Sequence, residues 1–288
     1  MPPGSVRRSG AWGQSGAMTA SLDPRAGESP PGAAVIARLR QAGCVFAEEE
    51  AALLLEAAAG QPNRLERLVA ARAAGEPLEQ LLGWVAFCGQ RIAVGPGVFV
   101  PRVRTEHLAE QAVARLTGAD VVVELCCGVA AVAAVLQATG RVQELYVVDI
   151  DPAAVGCARR NVVAPGIALV GDLYDPLPDR LRGRVDVLVA NAPYVPSAAI
   201  ALMPREAREH EPLVALDGGG DGVDVQRRII AAAPEWLRPG GALLIETGRQ
   251  QSVITAGEML RAGLDVSVLP DDDREATVVV GSTPWPTT

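Results

Sequence analysis

From residue 105 onward, short apolar runs alternate with longer amphipathic ones. VVVEL (121–125) is apolar on both faces apart from Glu124, the pattern of a strand buried in a sheet, and VAAVAAVLQATG behind it has helical spacing. LYVVD (145–149), IALVGD (167–172), VDVLVANAPY (185–194) and GALLIE (241–246) repeat the strand pattern. PAAVGCARRNV is a helix with Pro152 suited to its first turn, and DVQRRIIAAAPEWLRPGG contains one that ends before Pro239. A helix near 251–262 precedes LDVSVLP and EATVVVGS, two strands joined by the acidic turn DDDR. That turn is too short for a crossover, so the last pair must be antiparallel. Strands alternating with helices predict a parallel α/β sheet of seven strands with a terminal hairpin, its ligand at the carboxyl ends of the strands.

The chain before 105 has other patterns. Residues 1–30 are rich in Gly, Pro, Ser and Ala with few large apolar side chains, a composition that predicts a disordered tail, and Met18 is a second candidate start. Residues 31–83 carry three helical stretches, AAVIARLRQAG, EEEAALLLEAAAG and NRLERLVAARAAG, with Glu48 to Glu50 at a helix start and Asn63 as N-cap. They predict a small bundle, a lid or a docking surface rather than a catalytic core. In 84–104, AFCG and RIAV are short strands and GPG a turn, a hairpin or pair of hairpins linking the bundle to a catalytic domain over 105–288.

Composition narrows the chemistry. The chain has 288 residues and a net charge of −8, which disfavours direct nucleic-acid binding. All 26 basic residues are arginine, so a lysine Schiff base and a Walker A loop are both excluded. The five cysteines and two histidines form no metal-ligand spacing, and no metal is expected. No apolar run spans a membrane and no secretory leader precedes the domain, so a cytoplasmic protein with reduced thiols, a monomer, is expected.

Three strand ends carry candidate ligands. After the first strand, ELCCGVAAV holds one glycine, Gly128, in what is either an ordinary βα turn or a ligand loop; a pyrophosphate-binding glycine set is absent. Asp149, after the second strand, suits ribose hydroxyls or a cap, and Asp151 caps the next helix. Asp172, after the third, can accept from an adenine amino group while the Leu173 N–H donates to the ring. Together they imply an adenosine without pyrophosphate, and S-adenosylmethionine fits. Asn191-Ala192-Pro193-Tyr194 follows the fourth strand. Such a tetrapeptide is either a tight turn or a grip on a carboxamide. In the grip, the Asn191 oxygen and the Ala192 carbonyl accept the two amide hydrogens, Pro193 stiffens the frame, and Tyr194 is an aromatic wall beside a cationic methyl. The architecture expected is therefore a Rossmann-like class I methyltransferase rather than a nicotinamide dehydrogenase.

Over residues 35–282 the sequence resembles the HemK/PrmC family, which methylates a glutamine side-chain amide in peptide chain release factors. The shared motifs are Phe87, Gly89, Ile92 and Val94 with PRVRTEHL (101–108); NAPY; Glu211, Pro212, Ala215 and Leu216 followed by DGGGDG; and Leu243, Leu244, Glu246 and Gly248. The resemblance implies a two-domain protein-glutamine N-methyltransferase that uses S-adenosylmethionine and takes a protein partner of the release-factor kind. It places Asn191, Ala192, Pro193 and Tyr194 at the glutamine. It places Glu124, Gly128, Asp149, Asp172, Leu173 and also Asn191 around the cofactor, with Thr105 and Glu106 at its methionine end. Three departures stand out: Cys126 and Ala130 replace two loop glycines, Ala192 replaces the first proline of the motif, and Val103 and Arg104 replace proline and glutamate. If the loop positions need φ > 0, each replacement costs about 1 kcal/mol.

Two rival readings are an adenine amino-group methyltransferase acting on nucleic acid, which shares the Asn-x-Pro-Tyr logic, and a weakly active cofactor-binding docking protein. His107 reads as a solvated or packed helix residue, His210 as a surface residue, DDDR as a solvated turn, and Trp84 and Phe87 as hairpin packing.

Overall fold

The computed structural model describes residues 31–285. The expected tail, residues 1–30, and Met18 within it lie outside the described residues. The amino-terminal helices are α1 (Pro31–Gln41), α2 (Ala47–Ala58), α3 (Pro62–Ala73) and α4 (Leu78–Leu82). Leu39, Leu54 and Val69 are their shared core. Asn63 does not cap α3: the helix begins one residue earlier at Pro62, with Gln61 at the N-cap and no side-chain bond there. Proline takes the first turn because it has no N–H to satisfy.

Strands β1 (Trp84–Phe87) and β2 (Gln90–Ala93) form one antiparallel hairpin. It turns on Cys88 and Gly89, both at positive φ, as a tight two-residue hairpin requires. Gly95-Pro96-Gly97 lies beyond β2 and turns no second hairpin. Phe87 is buried, while Trp84 carries the Arg91 guanidinium over its ring.

The remaining elements are α5 (Thr105–Val113), β3 (Asp120–Leu125), α6 (Ala131–Ala138), β4 (Val142–Asp149), α7 (Pro152–Asn161), β5 (Gly166–Val170), β6 (Val185–Ala190), α8 (Arg205–His210), α9 (Asp224–Trp236), β7 (Leu237–Glu246), α10 (Ser252–Arg261), β8 (Asp265–Asp271) and β9 (Ala276–Ser282). Seven strands form one sheet in the order β5-β4-β3-β6-β7-β9-β8. All neighbours are parallel except β7 with β9 and β8 with β9. The expected Rossmann-like sheet with its antiparallel hairpin is borne out.

Strand alternation builds the two layers. Val122, Val147, Val187 and Leu244 face α5, α6 and α7. Val123, Val148, Leu188 and Leu243 face α9 and α10. Strand β7 begins four residues before the expected Gly241 and contains Pro239. Its pairing jumps from Val185–Leu237 to Val187–Ala242, so residues 238–241 bulge and Pro239 needs no ladder bond. The sheet order reverses between β3 and β6, and the loops that leave these two strands diverge there, opening a crevice. Among the described residues, no helix is long and apolar enough to cross a membrane.

Candidate active site

The crevice at the strand ends is a cleft with about 1130 Å³ of empty space, part of it open to solvent. Its floor at one end is the loop from β3 to α6. Cys126 (φ 51°), Gly128 (φ 53°) and Ala130 (φ 60°) are all left-handed there. Both glycine replacements therefore stand where glycine costs least, at a penalty of roughly 1–2 kcal/mol each. Local bonds hold the strained turn. Cys127 N–H donates to Val148 O (3.0 Å), Ala130 N–H to Cys127 O (2.7 Å), and Gly128 N–H to Asp149 Oδ2 (2.8 Å). Glu124 lies beneath it, buried, with Oε2 accepting from Ala133 N–H (2.8 Å). That geometry makes Glu124 a brace for the loop and the start of α6, and it is not among the cleft-lining residues. Burial pushes its carboxyl up to about 8, against the lowering effect of the Ala133 bond.

Asp149 lines the cleft at the end of β4. Each of its oxygens accepts one main-chain N–H, from Gly128 and from Asp151 (2.9 Å), leaving further lone pairs toward the cleft. Burial raises its pKa, and these bonds oppose the rise. Asp151 caps α7 through Ala153 N–H at 2.8 Å, as its sequence suggests. Asp172 also borders the cleft, with Oδ2 bonded to the exposed Arg228 (2.7 Å). Leu173 is left-handed (φ 51°), and among the described residues its N–H meets no protein acceptor.

At the other end stand Asn191, Ala192, Pro193 and Tyr194, all lining the cleft. Asn191 Nδ2 donates to Thr105 Oγ1 (3.2 Å), at the buried start of α5. Among the described residues no protein donor reaches Asn191 Oδ1 or the Ala192 carbonyl. Thr105 is therefore behind Asn191 rather than in the cleft itself. The Tyr194 hydroxyl donates to Glu246 Oε1 (3.2 Å), and Arg104 lies 5.7 Å over the Tyr194 ring while its Nε is 3.4 Å from the same carboxylate. The Thr105 hydroxyl also favours ionised Glu246, although burial dominates and raises that carboxyl's pKa. Glu106 accepts from Cys88 N–H (2.7 Å) and ties α5 to the β1–β2 hairpin.

Glycines make room behind this loop. A Cβ on Gly218 would stand 2.7 Å from Pro193 O, and one on Gly222 2.4 Å from Tyr194 O. The segment is stitched down by Val195 N–H to Leu216 O (3.1 Å), Gly218 N–H to Val195 O (2.9 Å) and Gln251 Nε2 to Tyr194 O (2.8 Å).

The cleft thus gathers Gly128, Asp149, Asp172, Leu173 and Asn191 to Tyr194, and leaves Thr105 and Glu124 behind its walls. It also gathers Phe99, Arg102, Arg104, Glu211 and Arg228, for which residue-level reading gave no role. The motifs at 101–108 and 211–216 are the available signal for Arg102, Arg104 and Glu211, and Phe99 and Arg228 lie outside them. His107 is packed, with Nε2 3.1 Å from Leu269 O, and His210 does not border the cleft. The DDDR turn is an ion-pair knot in which Arg274 holds Asp271 and Glu110. Among the described residues, no group of three or more His, Cys, Asp or Glu is placed to hold a metal ion.

Comparison with known proteins adds four likenesses. The methyltransferase small domain model matches residues 86–207. The release factor glutamine methyltransferase of Geobacter sulfurreducens is 38% identical over 217 residues, 74% of this chain and 75% of that protein. The 4-amino-L-phenylalanine/4-methylamino-L-phenylalanine methyltransferase of Streptomyces pristinaespiralis is 37% identical over 66% of this chain and 67% of its own length. Among solved structures, a methyltransferase from Pyrococcus furiosus superposes with a TM-score of 0.52 at 16% identity, covering 77% of this chain and 98% of its own, a likeness of fold.

Proposed function

This chain belongs to the release factor glutamine methyltransferase family, and on that footing we propose that it moves a methyl group from S-adenosylmethionine to the side-chain amide nitrogen of a protein glutamine in a peptide chain release factor. The carrying observation is the pair of free acceptors at one end of the cleft, Asn191 Oδ1 and the Ala192 carbonyl. An amide nitrogen is a poor nucleophile because its lone pair is delocalised into the carbonyl. Two acceptors on its two N–H groups hold the nitrogen in one orientation and favour density on it. Ala192 in place of a proline keeps the carbonyl, and Pro193 still fixes the extended geometry before it.

The other end fits the cofactor. Asp149 has lone pairs for the ribose, Asp172 an oxygen for the adenine amino group, and the Leu173 N–H is free for the ring. Gly128 and the left-handed loop let the ligand approach the main chain. When bound, the cofactor supplies a methyl group made electrophilic by its sulfonium. Thr105 acts through Asn191: by taking Nδ2 it presents Oδ1 to the acceptor.

The test is transfer of radiolabelled methyl from S-adenosylmethionine to a purified release factor, with the labelled residue identified by mass spectrometry. Asn191→Ala should lose at least 100-fold in kcat and keep cofactor Kd within threefold. Full activity in that variant overturns the role of Asn191. A second reading follows from the Streptomyces pristinaespiralis relative, whose acceptor is an amino acid. Label in 4-amino-L-phenylalanine and none in the release factor would select it.

A further inference from the structure

Among the described residues, four carboxylates line the cleft: Asp149, Asp151, Asp172 and Glu211. The first three follow β4 and β5, on the adenosine side. Glu211 alone stands at the Asn191 end. The turn that follows it is bonded to the residues after Tyr194, through Val195 N–H to Leu216 O (3.1 Å) and Gly218 N–H to Val195 O (2.9 Å). Its side chain is 2% exposed. Glu211 Oε1 takes both its donors, Val100 N–H (3.4 Å) and the Arg102 guanidinium. Among the described residues, Oε2 is buried and has no hydrogen-bond partner; Glu246 Oε2, outside the cleft lining, is the other such oxygen. Arg102 lines the cleft beside it, 35% exposed, with its guanidinium 5.1 Å from the Phe99 ring centre.

A buried carboxylate oxygen without a donor is rare in folded proteins unless water or a ligand supplies one. Here the orphan oxygen sits next to a half-open guanidinium, so one acceptor and one cation-borne donor set lie side by side. A peptide main chain offers the complement, an N–H and a C=O on the same residue. We propose that Glu211 Oε2 accepts the main-chain N–H of the residue whose carboxamide lies on Asn191, with Arg102 donating to that residue's carbonyl. Glu211 and Arg102 form a main-chain recognition pair for the methyl acceptor. The proposal rests on the protein-glutamine reading above and adds where that protein's backbone is gripped.

Glu211→Gln is the first test. The glutamine keeps an oxygen for Arg102 and Val100 and puts an NH2 donor where Oε2 was. With a purified release factor as substrate, KM should rise at least tenfold while kcat stays within threefold and cofactor Kd and Tm stay at parent values. The second test uses a synthetic peptide spanning the methylated glutamine, with and without a methyl on that residue's main-chain nitrogen. The parent should prefer the plain peptide at least tenfold in kcat/KM, and Glu211→Gln less than threefold. Parent-like KM in the variant, or undiminished discrimination between the peptides, overturns the proposal and leaves the protein-glutamine reading intact. A parent enzyme that labels no release-factor glutamine sinks that earlier reading by itself, and this one with it.

Discussion

Asn191 can turn its oxygen to a guest because its nitrogen is occupied elsewhere. The occupant, Thr105, is 86 residues away in the chain, and behind Thr105 lies the buried Glu246. Adjacent residues such as Asn191 and Pro193 are legible as a motif, whereas their support comes from a helix start that no local pattern connects to them. Glu124 shows the same limit from the other side. The resemblance places it at the cofactor, but its carboxylate turns to Ala133 N–H under the loop. This has a consequence for pH. Burial pushes Glu124 up to about 8, so the folded chain retains a proton that the unfolded chain releases near 4.5. Stability from this group is full below that lower value and falls as pH rises through about 8. Glu124→Gln keeps a neutral acceptor for Ala133 and should flatten the fall. Its Tm should exceed the parent's at pH 8 and match it near pH 4.5. Parallel Tm profiles for the two proteins would show that Glu124 is not the group responsible.

Among elements, the strand–helix alternation was legible, because continuous apolar runs in the strands, buried on both faces, and helical spacing between them are properties of neighbouring residues. The bulge at 238–241 was not, since it depends on which residue of β6 each residue of β7 meets. The glycine-rich stretch 217–222 stood in the sequence only as the tail of a shared motif. In the fold it is the back wall of the loop bearing Pro193 and Tyr194, and a side chain there collides with their carbonyls. Gly218→Ala should therefore move that loop and cut kcat tenfold or more, with cofactor Kd within twofold because the adenosine wall lies across the cleft. Equal loss of cofactor binding, measured by calorimetry, would show that the whole cleft had shifted.

At the scale of the whole molecule, composition and spacing announce a bundle and a sheet but not how they are fastened. Arg72 on α3 is the main fastening. It pairs with buried Glu50 on α2 (2.7 Å) and reaches Glu206 on α8 (3.3 Å). Gln80 adds bonds to Val98 O (3.1 Å) and Gly97 N–H (3.3 Å). Arg72→Ala leaves Glu50 buried without its cation and should cost about 3 kcal/mol, read as a lower midpoint in denaturant. Because α8 leads into Glu211, the same variant should raise KM for the protein substrate. A stability loss with an unchanged KM would confine Arg72 to holding the bundle together. The cations facing the cleft (Arg102, Arg104 and Arg228) are all guanidinium groups. Such groups offer no primary amine to an acylating enzyme. The positive charge facing this crevice is thus beyond reach of the acetyl marks that silence lysine-lined sites.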